Sequence, residues 1–155
     1  MEKYTITSCK FKNFVCLILF FASGCTINTA KLNDAKDINE AKMVIDKFYQ
    51  ELKSKKYKNT LTLLSDTLLK TTDTSTLFNF YKKYHNENGN LITSKLIKCE
   101  TKQETTNKGK VLKAIAIYKV QRSNGDTQER FLLKSNSENP LKIQRYDVVA
   151  NINMR

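Results

Sequence analysis

From residue 34 onward, apolar side chains recur at three- and four-residue spacing: Ile38, Ala41, Ile45, Phe48, Tyr49 and Leu52. That spacing lines them along one side of an α-helix. Asn33 or Asp34 can cap its start, and a helix of roughly 20 residues, about 30 Å long, is predicted to run to Lys53 or so. A shorter helix fits Tyr57 to Leu64, with Tyr57, Leu61 and Leu64 on one side and a break at Ser65-Asp66. A third fits Ser75 to Asn86, capped by Thr72 or Asp73, with Leu77, Phe78, Tyr81 and Tyr84 as its apolar side and Gly89 as its stop.

After Gly89 the pattern changes from helical to alternating, and β-branched residues become common. Four strands are predicted, about Leu91 to Thr101, Lys110 to Arg122, Thr127 to Ser135, and Leu141 to Ala150. The segments between them, Asn107-Lys108-Gly109, Ser123-Asn124-Gly125-Asp126 and Asn136-Ser137-Glu138-Asn139-Pro140, have the lengths and turn residues that join antiparallel neighbours. In the second strand Leu112, Ala114, Ala116, Tyr118 and Val120 share one face, while Val111, Ile115 and Ile117 alternate with Lys113 and Lys119 on the other. This is the pattern of a central strand covered by helices on one side and partly apolar on the other. Helices first and a meander afterwards give an α+β fold, with N-terminal helices packed on a curved antiparallel four-stranded sheet.

The first residues do not belong to that body. A basic segment (Lys3, Lys10, Lys12) precedes an uninterrupted apolar run from Phe14 to Ala22 and then small residues, which is the layout of a secretory signal. The run is too short to span a hydrocarbon core of about 30 Å as a helix, which takes roughly 20 residues. The signal closes on Ala22-Ser23-Gly24-Cys25, which resembles the lipobox of bacterial lipoproteins, although Ala22 stands where that family prefers Leu. The resemblance implies a lipid on Cys25 and a chain divided into a signal peptide (1–24), a lipidated flexible tether (25–33) and one α+β domain (34–155). Two or three acyl chains, at about 0.8 kcal/mol per buried methylene, hold a protein stably on a bilayer where one does so marginally. Thr26 is not the Asp that favours inner-membrane retention in such proteins, so the expected place is a bacterial cell envelope, the outer membrane by default where there are two, facing the periplasm or the surface.

Cysteine usage agrees with this address. Cys9 and Cys16 lie in the signal and Cys25 would be lipidated, so Cys99 is left without a partner for an intramolecular bridge and reads as a small, half-buried strand residue. The net charge is +12, and without the signal 24 basic side chains still face 14 acidic ones. An exported basic body is drawn to anionic head groups, each juxtamembrane Lys or Arg contributing about 1 kcal/mol. Nucleic acid is not an expected partner.

Several chemistries are missing from the sequence. The one imidazole, His85, falls at the polar end of the third helix, where it reads as a solvated residue suited to the negative end of the helix dipole rather than as the base of a Ser or Cys nucleophile. One His and one mature free Cys are too few for a zinc site, and four glycines leave no phosphate-binding loop. No cofactor, no metal ion and no catalytic residue is expected. Glu129 and Asp147 sit on strands that would bring them together if they shared a face, but Arg130 and Arg145 are the more ordinary partners for such acids.

The order of elements is similar to that of small exported domains with the nuclear transport factor 2-like fold, a cone-like arrangement also seen in cystatin-like proteins. The features that carry the resemblance are the first helix with Phe48-Tyr49, the step Lys55-Lys56-Tyr57, the turn Gly89-Asn90-Leu91, and the late strands Glu129-Arg130-Phe131-Leu132-Leu133 and Lys142-Ile143-Gln144-Arg145-Tyr146. It implies a cone whose interior holds a ligand, a catalytic site or only packing, with Tyr49, Tyr81, Tyr118 and Tyr146 as possible pocket lining; aromatic core residues would have the same spacing. The expected function is that of a non-catalytic envelope lipoprotein binding another envelope protein or a small ligand. Two alternatives stand beside it: an isomerase-like enzyme of the cone pocket, and a basic module on anionic envelope components.

Overall fold

The computed structural model describes residues 29–107 and 109–149. The predicted signal peptide and Cys25 lie outside the described residues. The described chain is α+β, with helices packed against one antiparallel sheet whose five strands follow the order of the sequence, β1-β2-β3-β4-β5. The sheet is open, with β1 and β5 at its edges.

One strand more than the expected four comes from the segment read as a tether. Thr29–Leu32 form β1, antiparallel to β2 with Thr29 opposite Thr105 and Leu32 opposite Lys102. The flexible stretch therefore cannot extend to Asn33. All four β1 side chains are exposed, so the strand rests on backbone pairing and has no apolar alternation to announce it. Asn33, with a positive φ of 53°, clips its end to β2: its N–H donates to the Thr101 carbonyl and its Oδ1 accepts from the Thr101 N–H, both at 2.9 Å.

Helix α1, Ala35–Lys53, starts where expected, with Asp34 accepting from the Lys36 N–H. Ala41, Ile45, Phe48 and Tyr49 are buried against the sheet. Its C-terminus closes by two backbone bonds, Lys56 N–H to the Glu51 carbonyl and Lys55 N–H to the Leu52 carbonyl, with Lys55 at φ 55° in the conformation usually given to glycine. The predicted second helix is shorter: α2 covers Tyr57–Thr60 and tightens into a 3-10 turn over Leu61–Leu63. Ser65 does not end helical structure but begins more of it, its Oγ accepting from the Leu68 N–H to open α3, Asp66–Thr71. The Ser65 N–H donates to the Ile143 carbonyl, which ties this region to β5. Helix α4, Thr74–Asn88, is capped by Asp73, which accepts from the Ser75 and Thr76 N–H groups.

Strand β2 runs Leu91–Thr106, β3 Gly109–Arg122, β4 Gly125–Lys134 and β5 Lys142–Val149. Arg122 faces Gly125, so only Ser123 and Asn124 form the β3–β4 turn. The predicted face of β3 is buried throughout, from Leu112 to Val120. It meets Thr127, Glu129, Phe131 and Leu133 of β4 and the rings of α1 in a core where Phe48 contacts Tyr49, Tyr81, Phe131 and Tyr146, mostly edge to face. The other face of the sheet carries Ile97, Ile115 and Leu132 among ion pairs such as Lys98–Glu100 and Lys119–Asp126.

Candidate functional site

Two charged residues fall on the buried side of the sheet. Arg122 continues the inward parity of Leu112 to Val120 at the end of β3, and Glu129 continues that of Thr127, Phe131 and Leu133 on β4. Glu129 is 0% exposed and Arg122 6%. Charges this deep persist only when they are paired and hydrogen-bonded. Glu129 meets that condition on both oxygens. Arg122 donates to Oε1 at 3.0 Å and Tyr84 donates to it at 2.8 Å, while Tyr146 donates to Oε2 at 2.6 Å. The Thr127 hydroxyl lies 2.9 Å from the Tyr84 oxygen and 3.4 Å from Oε1. The Arg122 guanidinium also stacks on the Tyr84 ring, 4.2 Å from its centroid.

This environment moves the ionisable groups in a consistent way. Burial, and then the Glu129 charge, push the phenols of Tyr49, Tyr84 and Tyr146 well above their ordinary range, so all three are neutral, and Tyr84 and Tyr146 serve Glu129 as donors. Burial would lower Arg122, but Glu129 outweighs it and the guanidinium is held more firmly charged. The Tyr81 phenol is pushed up to about 12 by burial, against a smaller opposing effect of Thr60.

Arg122 also borders a cleft of about 190 Å³ between the end of α1 (Leu52, Lys53), α2 (Tyr57), α4 (Tyr81, Tyr84, His85), the linking Asn90 and the first residue of β2 (Leu91). The cleft and the buried network share Tyr84 and Arg122, so the network's only side chains at the cleft wall are a neutral phenol and a cation. His85, which the sequence places at a solvated helix end, is half-buried here. Its pKa is lowered by burial and further by the positive charges of Lys55 and Arg122.

The four tyrosines singled out as possible lining do not converge on one pocket. Tyr81 borders this cleft. Tyr49 lies in the core and reaches a separate shallow groove beside Ile92. Tyr118 is core, 1% exposed, and its hydroxyl has no partner; Tyr146 is spent on Glu129. Glu129 and Asp147 do not meet. Register sets Arg130 opposite Asp147 and Val148 opposite Glu129, so the two acids occupy opposite faces. Asp147 is instead held by Arg130 at 2.9 Å and Arg145 at 2.7 Å; burial would raise its pKa, but these two arginines win and lower it. Cys99 is half-buried on β2, its thiol pushed up by burial and then by Glu100.

Among the described residues no group of three His, Cys, Asp or Glu side chains is placed to hold a metal ion, and no helix is long and apolar enough to cross a membrane. The sequence reading missed Arg122, Tyr84 and Thr127 as a unit with Glu129. The available signal was parity: Arg122 and Glu129 interrupt otherwise apolar inward faces of two neighbouring strands. No family model matches the chain, and neither does any curated protein or any solved structure.

Proposed function

We propose that this chain is a non-catalytic binding protein of a bacterial cell envelope, held to the membrane by lipid on Cys25, and that its domain is a nuclear transport factor 2-like cone. The observation that carries the binding reading is the state of Glu129. It is the most enclosed acid described, and a general base needs a free lone pair facing a substrate. Here one oxygen is taken by Arg122 and Tyr84 and the other by Tyr146, all from inside the fold. Such a carboxylate, fully buried with both oxygens engaged, organises its neighbours and presents no face to a substrate. The cone reading is supported by the order of helices before a meander and by α1 lying across β2 and β3.

The anchor reading rests on Ala22-Ser23-Gly24-Cys25 at the close of the signal. It also has a geometric consequence. Strand β1 begins at Thr29, four residues from Cys25, and at about 3.6 Å per residue the domain would be held within roughly 14 Å of the lipid attachment point. The β1 edge and the neighbouring end of β2 would then be the membrane-proximal side. Metabolic labelling with a palmitate analogue tests the anchor: the wild-type chain is expected to take the label and Cys25→Ser to lose it. An unlabelled wild-type chain would contradict the reading.

A further inference from the structure

The buried network leaves one group unfinished. One terminal nitrogen of Arg122 is engaged by Glu129, but its Nε is buried without a hydrogen-bond partner, and the side chain forms part of the cleft wall. A buried donor left unsatisfied costs about 1–3 kcal/mol, more when it belongs to a charged group. Nε itself is closed to water, so an acceptor in the cleft would remove that cost after a small turn of the Arg122 side chain toward it. The surroundings select the acceptor's charge. Lys53 shares the wall with Arg122, and Lys55 stands close enough to act on His85, whose imidazole is held toward the neutral form by burial and then by the charges of Lys55 and Arg122. Glu129, the acid of the network, is already neutralised by Arg122. Apart from Asn90, the rest of the wall is apolar or aromatic, through Leu52, Tyr57, Tyr81, Tyr84 and Leu91.

Size narrows the choice further. A volume of about 190 Å³ is below the roughly 300 Å³ at which clefts for drug-sized ligands begin. A phosphate or sulfate ion would leave the apolar wall wet, whereas a planar carboxylate matches the guanidinium fork and leaves room for one ring or a short chain on that wall. We propose that this cleft binds a small organic carboxylate, its anionic end against Arg122 and Lys53 and its apolar part against Tyr57, Tyr81 and Leu91. This rests on the domain's being a binding module, and it does not depend on the lipid at Cys25.

His85 is the only histidine of the chain, so its imidazole resonance is a single reporter inside the cleft. Full-length protein in detergent, labelled in histidine, is titrated with benzoate, with its uncharged analogue benzamide and with inorganic phosphate. The expected result is a saturable shift with benzoate, with a Kd at or below about 1 mM, and at least about tenfold weaker binding of the other two, a difference of about 1.4 kcal/mol. Lys53→Gln, a change at an exposed position that leaves the buried network intact, is expected to weaken benzoate several-fold. Lys113→Gln on the opposite face is expected to change nothing. Arg122→Lys keeps the charge and removes the fork, and is expected to weaken benzoate at least as much as Lys53→Gln. No saturable shift with benzoate, equal binding of benzamide, preference for phosphate, or insensitivity to Lys53→Gln would each overturn the proposal. Because the readout is in the cleft, it can fail while Cys25 labelling succeeds, and the reverse.

Discussion

At the scale of single residues, the core contrasts two tyrosines with the same chemistry and opposite circumstances. The Tyr118 hydroxyl is buried without a partner, whereas the Tyr146 hydroxyl donates at 2.6 Å to a buried carboxylate. Removing a hydroxyl that bonds to nothing relieves a desolvation cost, and removing one that serves a charge forfeits about 1.5–3 kcal/mol. Denaturant unfolding should therefore find Tyr118→Phe as stable as wild type or up to about 1 kcal/mol more stable, and Tyr146→Phe less stable by about 2 kcal/mol. Equal effects of the two would mean that the Glu129 network contributes nothing. The sequence made all four candidate tyrosines visible as apolar positions, but not their hydroxyl partners. It also offered Glu129 and Asp147 as a pair. Their true register differs by one residue, which places them on opposite faces.

Between elements, the junction of α4 and β2 governs the cleft. Gly89 ends α4 at φ 77°, ψ −169°, a conformation open essentially to glycine alone. A Cβ there would fall 1.9 Å from the Ser123 Oγ, which accepts from the Asn90 N–H at 3.0 Å. Gly89→Ala must displace the Ser123 hydroxyl as well as strain the backbone. Its expected cost is roughly 1–3 kcal/mol, with a disturbed His85 resonance because Asn90 and Arg122 border the same cleft. A fully stable variant with an unchanged His85 signal would show that this junction is not the cleft's support. Gly89 was legible as a stop because glycine is the ordinary residue past a helix end. Two other elements were not legible, for different reasons. Helix α3 has six residues, too few for a period to appear against its neighbours. Strand β1 and the extension of β2 from Thr101 to Thr106 are one event, an edge pairing of polar segments that exists through backbone bonds and leaves no apolar pattern.

For the whole molecule, the α+β order and the buried face of β3 followed from periodicity, because a strand covered on one side must alternate. The cleft did not follow, since its wall is drawn from α1, α2, α4, β2 and β3, and only the packing of all five brings Arg122 beside Lys53 and His85. The address proposed for the molecule rests instead on a local motif, Ala22-Ser23-Gly24-Cys25, read from the sequence alone. A lipid at Cys25 would make a body with strongly basic composition a resident of the membrane surface, with the β1 edge nearest the bilayer. The most direct measurement is the intact mass of the protein extracted from bacterial membranes. The account predicts a chain that begins at Cys25 and is heavier than residues 25–155 by a diacylglyceryl group, with or without a further acyl chain. A chain that retains residues 1–24, or one cleaved there without added lipid, would contradict it.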